Sequence, residues 1–259
     1  MNLRYISIKH IYNRNPDDYT LFAWKIVSNS RFICNWMSKE VRKLHIDTGP
    51  INMFCFTQSP EHEECKLSGC FKSLECFITI STKEQSVLKA MSSLTDRYEF
   101  YLSLLEKGYR AASTIIPFHI EQLLELHDKF RVGGYRNEWL FKKIIIREYG
   151  LYVYLKCYFT TFDFHMDIEA YDLKQTILIA KGTVFQTCPD ELFYQKDIRS
   201  IRVDGPKLLI LNFLGETEIE VDLDALVYGR ILVRYIDSYC LNWTERHESD
   251  QSFIKRMTW

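Results

Sequence analysis

The stretch Thr95–Lys143 reads TDRYEFYLSLLEKGYRAASTIIPFHIEQLLELHDKFRVGGYRNEWLFKK, and it decides the fold. Tyr98, Tyr101, Leu102, Leu105 and Tyr109 recur at steps of three and four, which places them in one apolar stripe on a helix. Ser93 with Asp96, or Thr95, supplies a side-chain oxygen for the unpaired N–H groups at the start. Pro117 suits the first position of a second helix, where no N–H is needed. Ile120, Leu123, Leu124 and His127 share a face of that helix, with Phe130 close by. Gly133 and Gly134 end it, because the residue past the last turn often takes positive φ. The short connection makes the two helices an antiparallel pair.

Beyond Gly134 the apolar period changes from 3.6 to 2. Leu140–Arg147 is a predicted strand, and Gly150 marks a turn. In Leu151–Phe159 the odd positions are apolar and the even ones carry Tyr152, Tyr154, Lys156 and Tyr158, the pattern of a half-exposed antiparallel strand. Phe162–Tyr171, Thr176–Phe185 and Glu216–Leu223 continue the series, and Arg230–Ile236 completes it. Thr187–Glu191 reads as a loop. Ile198–Val203 and Lys207–Leu214 flank Asp204-Gly205-Pro206 as a hairpin.

Before the helix pair the reading is mixed. Leu3–Tyr12, Ile51–Thr57 and Leu74–Ile80 are predicted strands, and Asn13–Asp17 is a turn signal. Tyr19–Val27 and Phe32–Leu44 are aromatic and apolar and fit either strand or helix. Ser59–Ser73 is polar and loop-like, and Thr82-Lys-Glu-Gln85 is a capping-box pattern opening a short helix. Leu241–Trp259 is a polar tail that fits a terminal helix. The expected fold is α+β: an antiparallel β-rich sheet with a packed antiparallel helix pair. It divides into a mixed lobe at 1–134 and a β-rich lobe at 135–259, or runs as one continuous domain.

The 259 residues, 47% apolar and 26% charged, can bury a full core. The 15% aromatic share suits sheets, and also contact surfaces rich in Tyr and Trp. A formal net charge of −1 gives no overall support for binding nucleic acid. Between Thr160 and Ala225 there are 6 Lys/Arg against 13 Asp/Glu, a net of −7 that attracts a basic partner. No apolar run reaches the roughly 18 residues that span a bilayer. The N-terminus has no apolar core of signal-peptide length. These features give a cytoplasmic protein, and its eight cysteines are therefore expected as reduced thiols.

The candidate contact surface is acidic. Asp163, His165, Asp167 and Glu169 share one face of their strand, against Phe162, Phe164, Met166 and Ile168. Glu216, Glu218, Glu220 and Asp222 likewise share a face, opposite Thr217, Ile219, Val221 and Leu223. Like charges at every second position repel unless a cation or basic partner compensates. Asp163, Asp167, Glu169, Glu216, Glu218, Glu220 and Asp222 are the expected partner-facing acids, with Tyr152, Tyr154 and Tyr158 as neighbouring anchors.

Metal readings are weaker. Positions two apart on a strand lie roughly 7 Å apart, too far for Asp163, His165, Asp167 and Glu169 to close on one ion. His62-x2-Cys65-x4-Cys70-x5-Cys76 has zinc-ligand chemistry without a paired-knuckle spacing. No cofactor or resident metal is expected. The chain has neither G-x-S-x-G nor a P-loop, and no catalytic residue is assigned. His127-Asp128 and His119-x-Glu121 read as solvated pairs, and His10, His45 and His247 have no visible partners. An enzyme with a dispersed Cys/His or metal-dependent site is the alternative.

The run Tyr98-x2-Tyr101-Leu102-x-Leu104-Leu105-Glu106-Lys107-Gly108-Tyr109 is followed by Phe130-Arg131-x-Gly133-Gly134-Tyr135-Arg136-Asn137-Glu138-Trp139-Leu140-Phe141-Lys142-Lys143. Together with Tyr158-Phe159-Thr160-Thr161-Phe162-Asp163-Phe164, it resembles small bacterial cytosolic immunity proteins of polymorphic or contact-dependent toxin systems. The resemblance covers residues 75–225. It implies a non-enzymatic inhibitor that binds the C-terminal domain of a cognate toxin. Its motifs are structural, so the word immunity rests on the resemblance, while the residues themselves point to a binding protein.

Overall fold

A computed structural model of the chain describes residues 1–10, 18–59, 65–68 and 72–236. The fold is α+β. It divides into two units, one spanning Met1–Asn137 and one that begins at Glu138. The turn at Asn13–Asp17 and the tail at Leu241–Trp259 lie outside the described residues.

The first unit contains strands β1 (Tyr5–His10), β2 (Met53–Gln58), β3 (Cys65–Ser68) and β4 (Ser73–Ile78). Its helices are α1 (Asp18–Leu44), α2 (Thr82–Ala90), α3 (Leu94–Ser113) and α4 (Ile120–Val132). The sheet order is β1-β2-β4-β3. Strands β1 and β2 are parallel, as are β2 and β4, and β3 runs antiparallel to β4. This sheet is therefore mixed, because α1 returns the chain to the starting end of β1.

The two stretches that fit either strand or helix are one 27-residue helix, α1. Phe22, Ile26, Ser30, Ile33, Met37 and Val41 recur at steps of three and four and are all buried. Ser38 fastens this helix to β1, accepting from the Ile6 N–H at 3.0 Å and donating to the Ile6 carbonyl at 3.2 Å. The expected loop at Ser59–Ser73 contains β3, whose polar residues give no strand signal.

Ile6, Phe54 and Leu74 pair in register, as do Ile8, Phe56 and Cys76, so all six share one buried face. The Phe56 ring lies against the backbone of Gly108 on α3, where an added Cβ would sit 2.3 Å from the ring. Ser93 caps α3 through the Asp96 N–H. The capping box of α2 is Ser81 with Glu84, one residue earlier than the expected Thr82 and Gln85. Pro117 also departs from expectation. It lies ahead of α4, whose N-cap is His119. Leu123, Leu126, His127 and Phe130 are the buried face of α4, and Gly134 leaves it at φ +68°.

The second unit opens with β5 (Glu138–Ile146), a 3₁₀ turn (Arg147–Tyr149), β6 (Leu151–Phe159), β7 (Phe164–Asp172) and β8 (Leu178–Thr187). They form an antiparallel meander in chain order. Phe164, Met166 and Ile168 are fully buried as expected. Phe162 is exposed instead, because β7 starts two residues after it. Helix α5 (Glu191–Asp197) follows the Thr187–Glu191 loop and stacks Tyr194 on Phe164 at 3.8 Å between ring centres. The second sheet of this unit runs β12-β11-β10-β9 and is antiparallel. Its strands are β9 (Ser200–Asp204), β10 (Lys207–Leu211), β11 (Thr217–Asp222) and β12 (Val233–Tyr235), with α6 (Leu223–Val227) between the last two.

Candidate functional site

The outer face of the β5–β8 sheet is built from cross-strand rows. One row is Lys143, Tyr154, Glu169 and Lys181. The next is Leu140, Lys156, Asp167 and Thr183, and beyond it Tyr158, His165 and Gln186 align. On the other side, Ile145, Tyr152, Tyr171 and Leu178 align. Tyr154, Tyr158 and Tyr171 are half-buried. Leu140, Ile145 and Leu178, on the two outer strands, are exposed by 50%, 52% and 48%. The two central strands thus interleave tyrosines with Lys156, His165, Asp167 and Glu169, and exposed Leu140, Ile145 and Leu178 lie among Lys143, Lys181 and Thr183 on the outer strands.

The acids of β7 have partners within the chain. Glu169 is buried and receives Lys156 at 2.6 Å and Lys181 at 3.0 Å. Burial pushes its carboxyl up, but the two lysines outweigh that and hold it below the usual carboxylate range. Asp167 accepts from the Thr183 hydroxyl at 2.7 Å. Asp163 accepts from Thr160 at 2.6 Å and Gln186 at 2.7 Å, and meets His165 Nδ1 at 3.0 Å. Burial raises the Asp163 carboxyl, and these bonds with the His165 charge lower it by more. The same hydrogen bond raises the His165 pKa above its ordinary value despite burial. Tyr158 stacks on the His165 ring at 4.9 Å.

Asp163, His165, Asp167 and Glu169 each have a partner within the chain. Asp163 and His165 bond each other, Asp167 turns to β8, and Glu169 turns to its lysines. Tyr152 is buried, with the Lys143 ammonium 4.8 Å from its ring centre. Tyr154 donates to Gln175.

The second acidic strand is β11, in a different sheet from β7. Glu216 lies just before it and is exposed. Glu218 is buried and accepts from Asn212 at 2.7 Å. Glu220 pairs with Lys207 at 2.8 Å and lies 3.8 Å from Arg234. Asp222 caps α6 through the Ala225 N–H at 2.8 Å. The sequence places these acids together but hides the charges that offset Glu220, because Lys207 and Arg234 come from β10 and β12. It also misses Tyr171 and the Asp163–His165 bond, whose one local signal is a two-residue spacing.

The cysteines depart from expectation. Cys65 and Cys76 form a disulfide across β3 and β4, where the sequence reading has two reduced thiols. Their positions are direct cross-strand partners, which brings the two side chains together. His62 and Cys70 lie outside the described residues. Cys34, Cys55, Cys157 and Cys188 are buried. His127 is not a solvated residue. It is buried, with a pKa lowered to about 4, first by burial and then by Arg131. His10 packs on Trp24, His45 lies 3.4 Å from Asn2, and His247 is outside the described residues.

Among the described residues, no helix is long and apolar enough to cross a membrane. No protein-family model, curated protein or solved structure matches the chain.

Proposed function

We propose that the chain is a protein-binding inhibitor of the immunity class, which holds the C-terminal domain of a cognate toxin against the outer face of β5–β8. The observation that carries this reading is the composition of that face: Tyr154, Tyr158 and Tyr171 on a hydrogen-bonded meander, flanked by exposed Leu140, Ile145 and Leu178. Tyrosines fixed on a stiff scaffold bury much area at little entropic cost, which suits them as interface anchors. Asp163, Asp167 and Glu169 serve as polar contacts already oriented by partners in the chain, so their charge steers less than their number suggests. The word immunity rests on the sequence resemblance. The test is co-expression with the toxin domain encoded immediately upstream, scored by cell survival and co-purification. Rescue with a stable complex supports the reading, and absence of both overturns it. Paired Tyr154→Ala and Tyr158→Ala changes should weaken the complex by about 30-fold or more, the size expected for central anchors.

The Asp163–His165 pair supports a second reading, an enzyme that uses His165 as its base. A carboxylate on Nδ1 turns the proton inward and leaves Nε2 as the acceptor. A His165→Gln variant separates the two. It retains toxin neutralisation if the face only docks a protein, and it loses all turnover if the imidazole is the base.

A further inference from the structure

The second observation lies in the first unit and is independent of the docking face. Cys65 sits on the four-residue strand β3 and is half-buried, whereas Cys76 is fully buried beneath it. Cys65 opens onto a cleft of about 500 Å³ between β4 and α3. Phe77, Ile78 and Ile115 supply apolar walls, and the charged side chains lining the cleft are Lys107 and Arg110. Lys107 pairs with Glu84 and Arg110 with Glu106, and neither acid lines the cleft. A disulfide whose half-buried Cys65 lines a cleft together with Lys107 and Arg110 has an arrangement that favours thiolate attack at Cys65.

We infer that Cys65 and Cys76 are an exchangeable dithiol, and that the cleft seats a low-molecular-weight thiol bearing carboxylates. The incoming thiolate attacks Cys65 Sγ, on the cysteine that lines the cleft. The Cys65–Cys76 bond breaks, and Cys76 leaves as a thiolate that takes up the proton released by the incoming thiol. The product is a mixed disulfide on Cys65. A second thiolate attacks the small-molecule sulfur of that adduct and releases Cys65. Two thiols are thereby oxidised to one small disulfide, and the protein gains a dithiol. Lys107 and Arg110, each paired with one glutamate outside the cleft lining, present their remaining N–H donors to the carboxylates and to the anionic sulfur at short range. Reduction removes the covalent link between β3 and β4 and leaves only their backbone pairing.

The experiment exposes the full-length protein to reduced glutathione or to neutral 2-mercaptoethanol, quenches by alkylation and maps the adducts by mass spectrometry. Glutathione should appear on Cys65 and not on Cys76, and a Cys76→Ser variant, which has no disulfide to open, should take the same adduct on Cys65 from glutathione disulfide, with one glutathione released. Combined Lys107→Gln and Arg110→Gln changes should slow the glutathione reaction by about tenfold, as expected for removing two nearby charges, and leave the neutral thiol within about twofold. Added salt should reproduce that selective slowing in the unaltered protein, which guards against a folding defect in the variant. Equal effects on both thiols, adducts confined to other cysteines, or a disulfide that opens only on unfolding would each overturn the inference.

Discussion

His127 is the residue at which burial has the clearest energetic consequence. Its ring packs 5.5 Å from that of Tyr109, and neither His127 Nε2 nor the Tyr109 hydroxyl has a hydrogen-bond partner among the described residues. The folded imidazole has a pKa of about 4, and the unfolded chain protonates near 6.5. Between those values the unfolded state binds more protons. The His127 contribution is therefore intact above pH 6.5 and declines as pH falls toward 4, by about 3 kcal/mol in all. A His127→Leu variant should match the parent within about 1 kcal/mol at pH 7, since it removes an unpaired polar atom along with the ring. At pH 4.5 the variant should be the more stable of the two by urea denaturation. Gly108 makes a different demand. Ala is the better helix former by about 1 kcal/mol, yet its Cβ would enter the ring of fully buried Phe56. Gly108→Ala should lower stability by about 1–3 kcal/mol, read from the same urea midpoints. The sequence shows Gly108 next to Tyr109 of the apolar stripe, but not the strand residue that requires it to be small.

At the scale of elements, Asn137 links the end of the first unit to α1. It is buried, donates to the Phe32 carbonyl at 2.7 Å and to Asn35 at 2.9 Å, and receives Lys39 at 3.2 Å. Asn137→Ala leaves those groups partly unpaired and should cost about 1–3 kcal/mol, measurable as a lower melting temperature. The strands from Glu138 onward are legible because a one-faced antiparallel sheet writes its period of two directly into the chain. Helices α3 and α4 are legible for the matching reason. Helix α1 is not, because its stripe passes through Ser30 and is interrupted by aromatic and β-branched residues that also favour strands. Strand β3 is too short and polar to show a period, and α5 spans only seven residues. For the candidate face, the rows of tyrosines and acids follow from alternation along single strands. The lysines on Glu169 and the Gln186 on Asp163 depend on strand register, which no local pattern gives.

At the scale of the whole molecule, two of the acids between Thr160 and Ala225 are offset by cations of the same chain. Glu169 has two lysines and Glu220 has Lys207 with Arg234 nearby. Association with a toxin domain should therefore depend only weakly on salt. The on-rate should change by less than about tenfold between 50 and 300 mM NaCl in stopped-flow mixing, where strong steering would give more. The two units also differ in how far apart along the chain their partners lie. Ile6 meets Phe54 across the whole of α1, whereas Phe159 meets Phe164 across a single turn. Joining distant segments costs loop entropy before any strand bond is gained, so the βαβ arrangement forms slowly and the meander quickly. The part of the chain that leaves the ribosome later is then the part that orders sooner. Until β1, α1, β2 and α3 have come together, the earlier part keeps Phe54 and Phe56 in the open, where chaperones bind.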